Sequence, residues 1–132
     1  MILLLLIEMK TVCLCGSFKF YNVMNKIEEI LFKSHIKCVK PVPFPHEDPR
    51  KSRAREDEEI GTKEHIENVK QADTIYIVDK DGYVGRSTSV EIGVAYGLGK
   101  RIYAMEKIDD PAVDILVDEV LSPEELVSKV KC

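Results

Sequence analysis

The sequence predicts an α/β fold in which helices cover both faces of a parallel sheet of about five strands. Short apolar and β-branched runs alternate with helical segments, and that alternation requires crossover connections between parallel strands. Gly16 follows the first run and Asp79 follows the third, as is typical of buried strands that end in turns. Of the 132 residues, 45% are hydrophobic, enough for one core, so we expect a single domain over residues 1–132.

The strands are predicted from short runs of residues that are usually buried. Thr11–Cys15 is wholly apolar or β-branched and is the first of them. Pro41 closes the second run, because proline cannot continue a central ladder. The predicted strands are, in order, 11–15, 36–39, 73–78, 101–105 and, more weakly, 115–117.

The helices are predicted from amphipathic spacing and from their end signals. Ile66 and Val69 are expected to face inward from the second helix, and Gly99 is a left-handed stop for the third. Ser122 caps the last helix, with proline and glutamate at its first and third positions. The predicted helices cover 20–32, 60–72, 87–99 and the residues after Ser122. Together these elements predict a flavodoxin-like or Rossmann-like three-layer sandwich.

Composition and charge exclude several classes of protein. A formal net charge of −4 leaves no broad cationic surface for phosphates, so no nucleic-acid partner is expected. No apolar run reaches the roughly 18 residues of a membrane span, so no membrane partner is expected. Residues 1–8 lack the basic start and the cleavage site of a secretory signal, which leaves an extra strand or an upstream start as alternatives.

The charged segment 46–59 is expected to lie outside the core. It carries charges of both signs and almost no apolar side chain, so it can bury little surface. We expect a mobile loop there, with a helix at its end as an alternative. Such a loop can close over a bound ligand or remain a solvated excursion, and the sequence leaves both alternatives open.

The four cysteines, Cys13, Cys15, Cys38 and Cys132, show no metal-site or disulfide pattern. They have neither the C-x2-C spacing of a zinc site nor the density of a disulfide scaffold. The sequence therefore predicts no metal and no organic cofactor, with the thiols free and buried in a cytoplasmic protein. Redox chemistry at Cys13 and Cys15 is disfavoured, because thiols two residues apart on a strand share a face but are poorly placed for a disulfide.

The residues after the first strand form one half of the candidate site. Ligands of an open parallel sheet bind beyond the carboxyl ends of its strands. Gly16, Ser17, Phe18 and Lys19 form a turn there, where free backbone N–H groups can hold an anion or a base edge. This turn matches neither the dinucleotide fingerprint nor the P-loop. A tight turn that merely requires glycine is the alternative.

The start of the third helix forms the other half. Hydroxyl side chains, an arginine and unpaired N–H groups at this point can seat a phosphate or a sugar hydroxyl. Thr88-x-x-Glu91 also has the spacing of a capping box, which is the better interpretation on spacing alone. The candidate binding residues here are Gly85, Arg86, Ser87 and Ser89.

Two segments together carry a resemblance to a known family. They are Cys13–Ser17, and Ala72–Val78 followed by Gly85–Lys100. Their more specific part is the stretch Glu-Ile-Gly-x-Ala-x-x-x-Gly-Lys after a cluster of serine and threonine. Over residues 10 to about 105 the chain resembles the nucleoside 2-deoxyribosyltransferase family, including its branch of nucleoside 5′-monophosphate N-glycosidases. That resemblance implies five parallel strands between helices.

The resemblance also implies a reaction, which is cleavage or transfer at the N-glycosidic bond of a (deoxy)nucleoside or its 5′-monophosphate. Glu91 matches the nucleophile that attacks the anomeric carbon, whereas Gly16, Ser17 and Ser87 match residues of the nucleotide pocket. A carboxylate can stabilise the oxocarbenium-like transition state and then capture C1′ as an ester. A nearby helix N-terminus is expected to favour the ionised carboxylate. Water or a second nucleobase would complete the cycle.

Two positions depart from the family pattern. Cys13 stands where the family has a tyrosine that holds the nucleophile, and a thiol is a poorer hydrogen-bond donor. His65 stands where the family has an aspartate, and it can be the general acid or base. A half-exposed helical histidine without a catalytic task is the alternative. The departures also leave open a non-catalytic nucleotide-binding or sensing module on the same fold.

Other side chains can contribute to binding. Lys19 and Arg86 can contact a 5′-phosphate or remain solvated charges. Asp79 can bind a sugar hydroxyl or serve only its turn. Tyr83 and Tyr96 offer aromatic faces for a base, although the helical spacing of Tyr96 also fits a core or interface position.

The expected assembly is a homodimer or larger homo-oligomer. The resemblance implies this, because the family commonly forms oligomers in which a neighbour completes the pocket. The apolar face of the predicted helix over 87–99 can form such an interface. The expected ligand is a small nucleoside or nucleotide.

Overall fold

The computed structural model describes residues 9–42 and 54–132. In these ranges five strands pair in parallel, in the order β2-β1-β3-β4-β5, which confirms the predicted α/β class. The strand order reverses beside β1, so the crevice between β1 and β3 is where such sheets bind ligands. The strands are β1 Thr11–Cys15, β2 Lys37–Val39, β3 Thr74–Ile77, β4 Arg101–Ala104 and β5 Glu119–Val120.

Helices cover both faces of the sheet. Buried side chains of α1 and α5 pack on one face, and those of α2 and α3 pack on the other. A 3-10 turn at Phe18–Phe20 connects β1 to α1. The α-helices of the described chain are α1 Tyr21–Lys33, α2 Arg55–Gln71, α3 Arg86–Gly97, α4 Pro111–Asp114 and α5 Pro123–Lys131.

Strand β1 contributes alternate side chains to two separate cores. Val12 and Leu14 pack with the α1 and α5 side chains, whereas Cys13 and Cys15 face α2 and α3. All four are fully buried, as expected for a central strand covered on both faces.

Local signals place the C-terminal end of α3 and the start of α5 as predicted. Gly99 has a φ of +71°, and the N–H groups of Gly99 and Lys100 bond back to the carbonyls of Tyr96 and Ala95. This is the pattern of a left-handed helix stop. Ser122 accepts a hydrogen bond from the N–H of the third helical residue, whose carboxylate accepts from the N–H of Ser122, so the predicted capping box of α5 is present.

The fifth strand lies elsewhere than predicted, and the prediction of a strand at 115–117 is wrong. Asp110 caps the short helix α4. The N–H groups of residues 115–117 bond back to carbonyls of this helix, so these residues form the turn that ends it. Asp118 then bonds with Ile102 in both directions: its N–H donates to the Ile102 carbonyl at 2.7 Å, and its carboxylate accepts from the Ile102 N–H at 2.8 Å. These bonds bring Glu119–Val120 beside β4 as the edge strand.

Helix α2 begins at Arg55, earlier than the predicted residue 60. The helical end considered for the charged segment is therefore present over 55–59. Val69 is buried as predicted, but Ile66 is only half-buried, and His65 takes the inward position beside it. The sequence interpretation that made His65 half-exposed is wrong, since the residue is 3% exposed.

Some expectations fall outside the described residues. The alternatives for residues 1–8 are among them, as is the mobile loop expected over 46–53, the first part of the charged segment. Among the helices that the structure describes, none combines the length and the apolar character needed to cross a lipid bilayer.

Candidate active site

A cavity of about 570 Å³ opens at the carboxyl ends of β1 and β3. Its walls are the turn after β1, one side of α2 and the N-terminus of α3. Most of the residues that the sequence proposed for the site meet here. They are Gly16, Ser17, Phe18, Lys19, His65, Gly85, Arg86, Ser87 and Glu91.

Two proposed binding residues, Asp79 and Ser89, lie behind the cavity wall. Asp79 is 3% exposed, and its Oδ1 accepts a hydrogen bond from the N–H of Ser17 at 2.8 Å. The hydroxyl of Ser89 donates to the carbonyl of Gly85 at 2.8 Å. Asp79 therefore holds the turn after β1, and Ser89 holds the first turn of α3. Contact of either side chain with a substrate stays a prediction.

The turn after β1 requires glycine at position 16 because side chains pack closely against it. A Cβ there would lie 2.9 Å from Asp79 Oδ1 and 2.9 Å from Val78 Cγ2. Burial raises the pKa of Asp79, although the backbone N–H groups of Ser17 and Gly85 act against that rise. The close approach of Asp79 thus fixes the position of the turn that forms one wall of the cavity.

Glu91 does not serve as the helix cap that its spacing suggested. The N-cap of α3 is Gly85, so Thr88 and Glu91 both lie inside the helix, and the capping-box interpretation is wrong. Glu91 lines the cavity and is 6% exposed. Burial raises its pKa to about 7, even though His65 and the Cys15 thiol act to lower it. Desolvation of the Glu91 carboxylate therefore outweighs the helix N-terminus, which was expected to favour the ionised form.

His65 uses both ring nitrogens for contacts with the protein. Nε2 lies 2.9 Å from the carbonyl oxygen of Leu14, and Nδ1 lies 3.3 Å from the amide nitrogen of Asn68. A neutral ring that donates from Nε2 and accepts at Nδ1 satisfies both bonds. Burial lowers the pKa of His65, but Cys13, Glu91 and the Leu14 carbonyl together raise it above its ordinary value.

Cys13 and Cys15 point from β1 toward the same histidine. Their sulfurs lie 3.6 Å and 3.9 Å from His65 Nε2, and both thiols are free and buried as predicted. A hydrogen bond from Cys15 lowers the pKa of Cys13 to about 6, with help from His65 and against the effect of burial. The pKa of Cys15 is raised by the same bond and by burial. The prediction of buried thiols is wrong for Cys132, which is exposed, and for Cys38, which is only partly buried.

Several of the cavity residues that the sequence did not predict lie on one stripe of α2. Gly61, Thr62 and Asn68 line the cavity on the same side as His65. They lie three or four residues from it in sequence, so helical spacing from His65 would have found them. This helix is almost entirely polar, so its sequence shows no apolar stripe that marks the side facing the cavity.

Of the two aromatic candidates, Tyr83 lines the cavity and Tyr96 does not. The ammonium group of Lys19 lies 3.5 Å from the centre of the Tyr83 ring, and Phe20 packs edge-on against the same ring. Tyr96 is 60% exposed on the outer face of α3, which excludes a core position in this chain. An aromatic face beside a cation therefore borders the cavity.

Comparison with known proteins bears on the fold. No protein-family model and no curated protein matches the chain. A 2-deoxyribosyltransferase from Bacillus psychrosaccharolyticus superposes with a TM-score of 0.69 at 18% identity, over 89% of this chain and 90% of the other. The chain has the fold of a 2-deoxyribosyltransferase. At this identity the similarity shows the fold alone.

Two further structures share the architecture at lower similarity. A conserved protein from Enterococcus faecalis V583 has a TM-score of 0.58 at 14% identity, over 94% of this chain and 98% of the other. The sugar isomerase domain of an RpiR transcription factor from Sphaerobacter thermophilus has a TM-score of 0.58 at 15% identity, over 96% of this chain and 69% of the other. Proteins of different kinds therefore share this architecture, so the function of this chain must be argued from its site.

Proposed function

We propose that this protein cleaves or exchanges the N-glycosidic bond of a (deoxy)nucleoside or its 5′-monophosphate, with Glu91 as the nucleophile. The observation that carries the proposal is a buried carboxyl group on the wall of a cavity at the sheet's switch point. Its volume of about 570 Å³ is within the range of small-molecule sites. The fold that the chain shares with a 2-deoxyribosyltransferase supports the same reaction.

The proposed reaction proceeds in two displacements. A carboxylate oxygen of Glu91 bonds to C1′ as the C1′–N bond breaks, and the bonding electron pair leaves with the base. The base takes a proton from a second group or from water. Attack of water on C1′ then releases the sugar and frees Glu91, whereas attack of a second nucleobase gives an exchanged nucleoside.

His65 has a supporting part in this proposal. Its two ring nitrogens already face Leu14 and Asn68, so neither points freely at a leaving base. When the His65 ring is protonated, its positive charge favours the carboxylate form of Glu91. We therefore assign His65 to positioning and charge at Glu91, while its predicted role as general acid or base remains the alternative.

The rest of the cavity fits a nucleotide. The N-terminus of α3, with Arg86 and Ser87 on the cavity wall, suits a 5′-phosphate. The Tyr83 ring offers a face for the base, and Ser17 offers a hydroxyl and a turn backbone for the sugar. Lys19 supplies a second positive charge at the same opening.

A second copy of the chain is the proposed partner. Val90 and Tyr96 of α3 and Leu98, the residue that caps its end, are exposed over 53%, 60% and 53% of their surfaces. Exposed apolar side chains on one helix favour an interface between copies. Light scattering of wild type against Val90→Asp tests this, and a monomer at all concentrations would contradict it.

The function is tested by base release from a panel of ribo- and deoxynucleosides with and without a 5′-phosphate. Chromatography of the free base identifies the sugar, base and phosphate that are accepted, and an added second base separates exchange from hydrolysis. Glu91→Gln should abolish release, while Glu67→Gln, an exposed glutamate on α2, serves as the matched control. If wild type binds several nucleotides but releases no base from any, the site is a nucleotide sensor.

A further inference from the structure

Three buried side chains on the α2 and α3 side of the sheet form a compact set of metal-binding atoms. The sulfurs of Cys13 and Cys15 and Nε2 of His65 all lie within 4.8 Å of one another. The two sulfur–nitrogen distances are 3.6 Å and 3.9 Å. Two of these positions, 13 and 65, are those at which the chain departs from the family pattern.

The spacing of the three atoms is close to that of a tetrahedral zinc site. With Zn–S bonds of about 2.3 Å and Zn–N bonds of about 2.0 Å, a tetrahedral angle places ligand sulfur and nitrogen about 3.5 Å apart. The same bond lengths place two sulfurs about 3.8 Å apart. The observed sulfur–nitrogen distances are therefore within about 0.4 Å of the tetrahedral value, and the two sulfurs need to approach each other by no more than about 1 Å.

The backbone explains why the atoms converge. Cys13 and Cys15 are alternate residues of one strand, so both side chains leave the same face of the sheet. α2 crosses that face and presents His65 to them. Asn68, one turn further along α2, contacts the other ring nitrogen, as residues behind a histidine ligand commonly do. Its amide oxygen can accept from Nδ1–H in the other tautomer, and a metal at Nε2 then replaces the hydrogen bond from Nε2 to the Leu14 carbonyl.

We propose that Cys13, Cys15 and His65 bind a zinc ion, with the carboxylate of Glu91 as the fourth ligand. Glu91 and His65 both line the cavity by which an ion would enter. The Glu91 carboxylate lies outside the set of atoms within 4.8 Å of one another, so its side chain has to turn toward the cluster to complete the site. Thiolate, imidazole and carboxylate are ligand types that zinc takes in proteins. On binding, the two thiol protons pass to solvent and the imidazole stays neutral, so Zn²⁺ and three anionic ligands leave a charge of −1.

Zinc at this position would occupy the carboxylate that the proposed reaction needs. The zinc-loaded protein is then inactive in base release, and the metal-free protein is the active form. This consequence depends on the proposed function, whereas the binding of zinc does not.

Cobalt titration of the untagged, reduced, full-length protein tests the binding. Cys38→Ser/Cys132→Ser serves as the background, because it removes the two thiols outside the cluster. We expect one equivalent of Co²⁺ to bind with thiolate-to-metal charge-transfer absorption, and Zn²⁺ to displace it. Cys13→Ser, Cys15→Ser and His65→Gln in this background should each weaken binding by more than about 100-fold, since losing even a residue behind a ligand costs about 10- to 100-fold.

A second readout covers variants that fail to fold. Zinc should raise the Tm of the background protein, in which the cluster is intact, and native mass spectrometry should find one zinc per chain. Absence of the charge-transfer band and of the Tm shift would overturn the proposal, as would equal cobalt affinity in a folded Cys13→Ser/Cys15→Ser variant. If zinc binds but the metal-free protein releases no base, the proposed function fails and the metal site stands.

Discussion

On the α1 and α5 side of the sheet, Val12 and Leu14 of β1 pack in a cluster of apolar and aromatic side chains. On the α2 and α3 side, Cys13 and Cys15 of the same strand also belong to an apolar cluster, but there they meet His65 as well. One five-residue strand thus supplies alternate residues to an apolar core and to the buried cysteine and histidine cluster beside the cavity. Both faces stabilise the fold, whereas the candidate chemistry lies on one face, so substitutions on the two faces should have different effects.

The largest effect is expected from Glu91→Gln on the reactive face. The amide keeps the size of the side chain but cannot form the ester with C1′, so base release should fall by at least about 10³-fold. The Tm should stay the same or rise, because a buried ionisable group is removed. Steady-state base release and thermal unfolding of the same preparation measure both, and a full rate in this variant would contradict the account.

On the other face, Leu14→Ala should act on stability alone. Leu14 is fully buried between β1 and α1, and the truncation should cost about 2–5 kcal/mol of unfolding free energy. The bond from His65 to Leu14 goes to the backbone carbonyl, so the substitution leaves it in place. Urea unfolding gives the free energy, and base release per folded molecule should equal that of wild type. A folded variant with lost activity would show that the faces are coupled.

Gly16→Ala should affect both stability and binding, because the turn at the cavity edge lies against the sheet. The added Cβ would approach Asp79 and Val78 too closely, at a cost of about 1–3 kcal/mol. The displaced turn should raise KM more than it lowers kcat. Gly97→Ala is the matched control, since its Cβ meets no atom within 4 Å and should stabilise α3 by about 0.5–1 kcal/mol. Equal stability changes in the two variants would contradict the close approach at position 16.

The smallest effect is expected from Ser122→Ala at the start of α5, far from the cavity. Losing the cap should cost about 1 kcal/mol. Base release should not change, because no residue of α5 lines the cavity. Thermal unfolding checks the first expectation and kinetics the second, and a changed KM would place α5 in contact with the site.

The sequence could predict what local chemistry decides. The capping box of α5, the stop at Gly99 and strand β1 depend on a few adjacent residues, and the structure confirms them. β5 was missed because two residues become a strand only through bonds that Asp118 makes with Ile102 on a neighbouring strand. Asp118 and Ile102 are 16 residues apart, so no short stretch of the sequence contains both.

The site was harder to predict for the same reason. Glu91 has the spacing of a capping residue, and only the position of the α3 N-cap at Gly85 shows that Glu91 lies inside the helix. The sequence favours an inward position for Ile66, the more apolar residue, and this is why a half-exposed His65 stood as one alternative. The Cys13, Cys15 and His65 cluster has ligands from a strand and a helix about fifty residues apart, so no spacing motif could reveal it.

Mass spectrometry after rapid acid quench tests the central claim most directly. Wild type is mixed with a nucleotide that the panel shows to be accepted, quenched within one turnover and digested. The account predicts a sugar or sugar-phosphate adduct on the carboxyl group of Glu91, formed as fast as base is released and absent from Glu91→Gln. Base released by wild type with Glu91 unmodified at every time point, or released equally fast by Glu91→Gln, would contradict it.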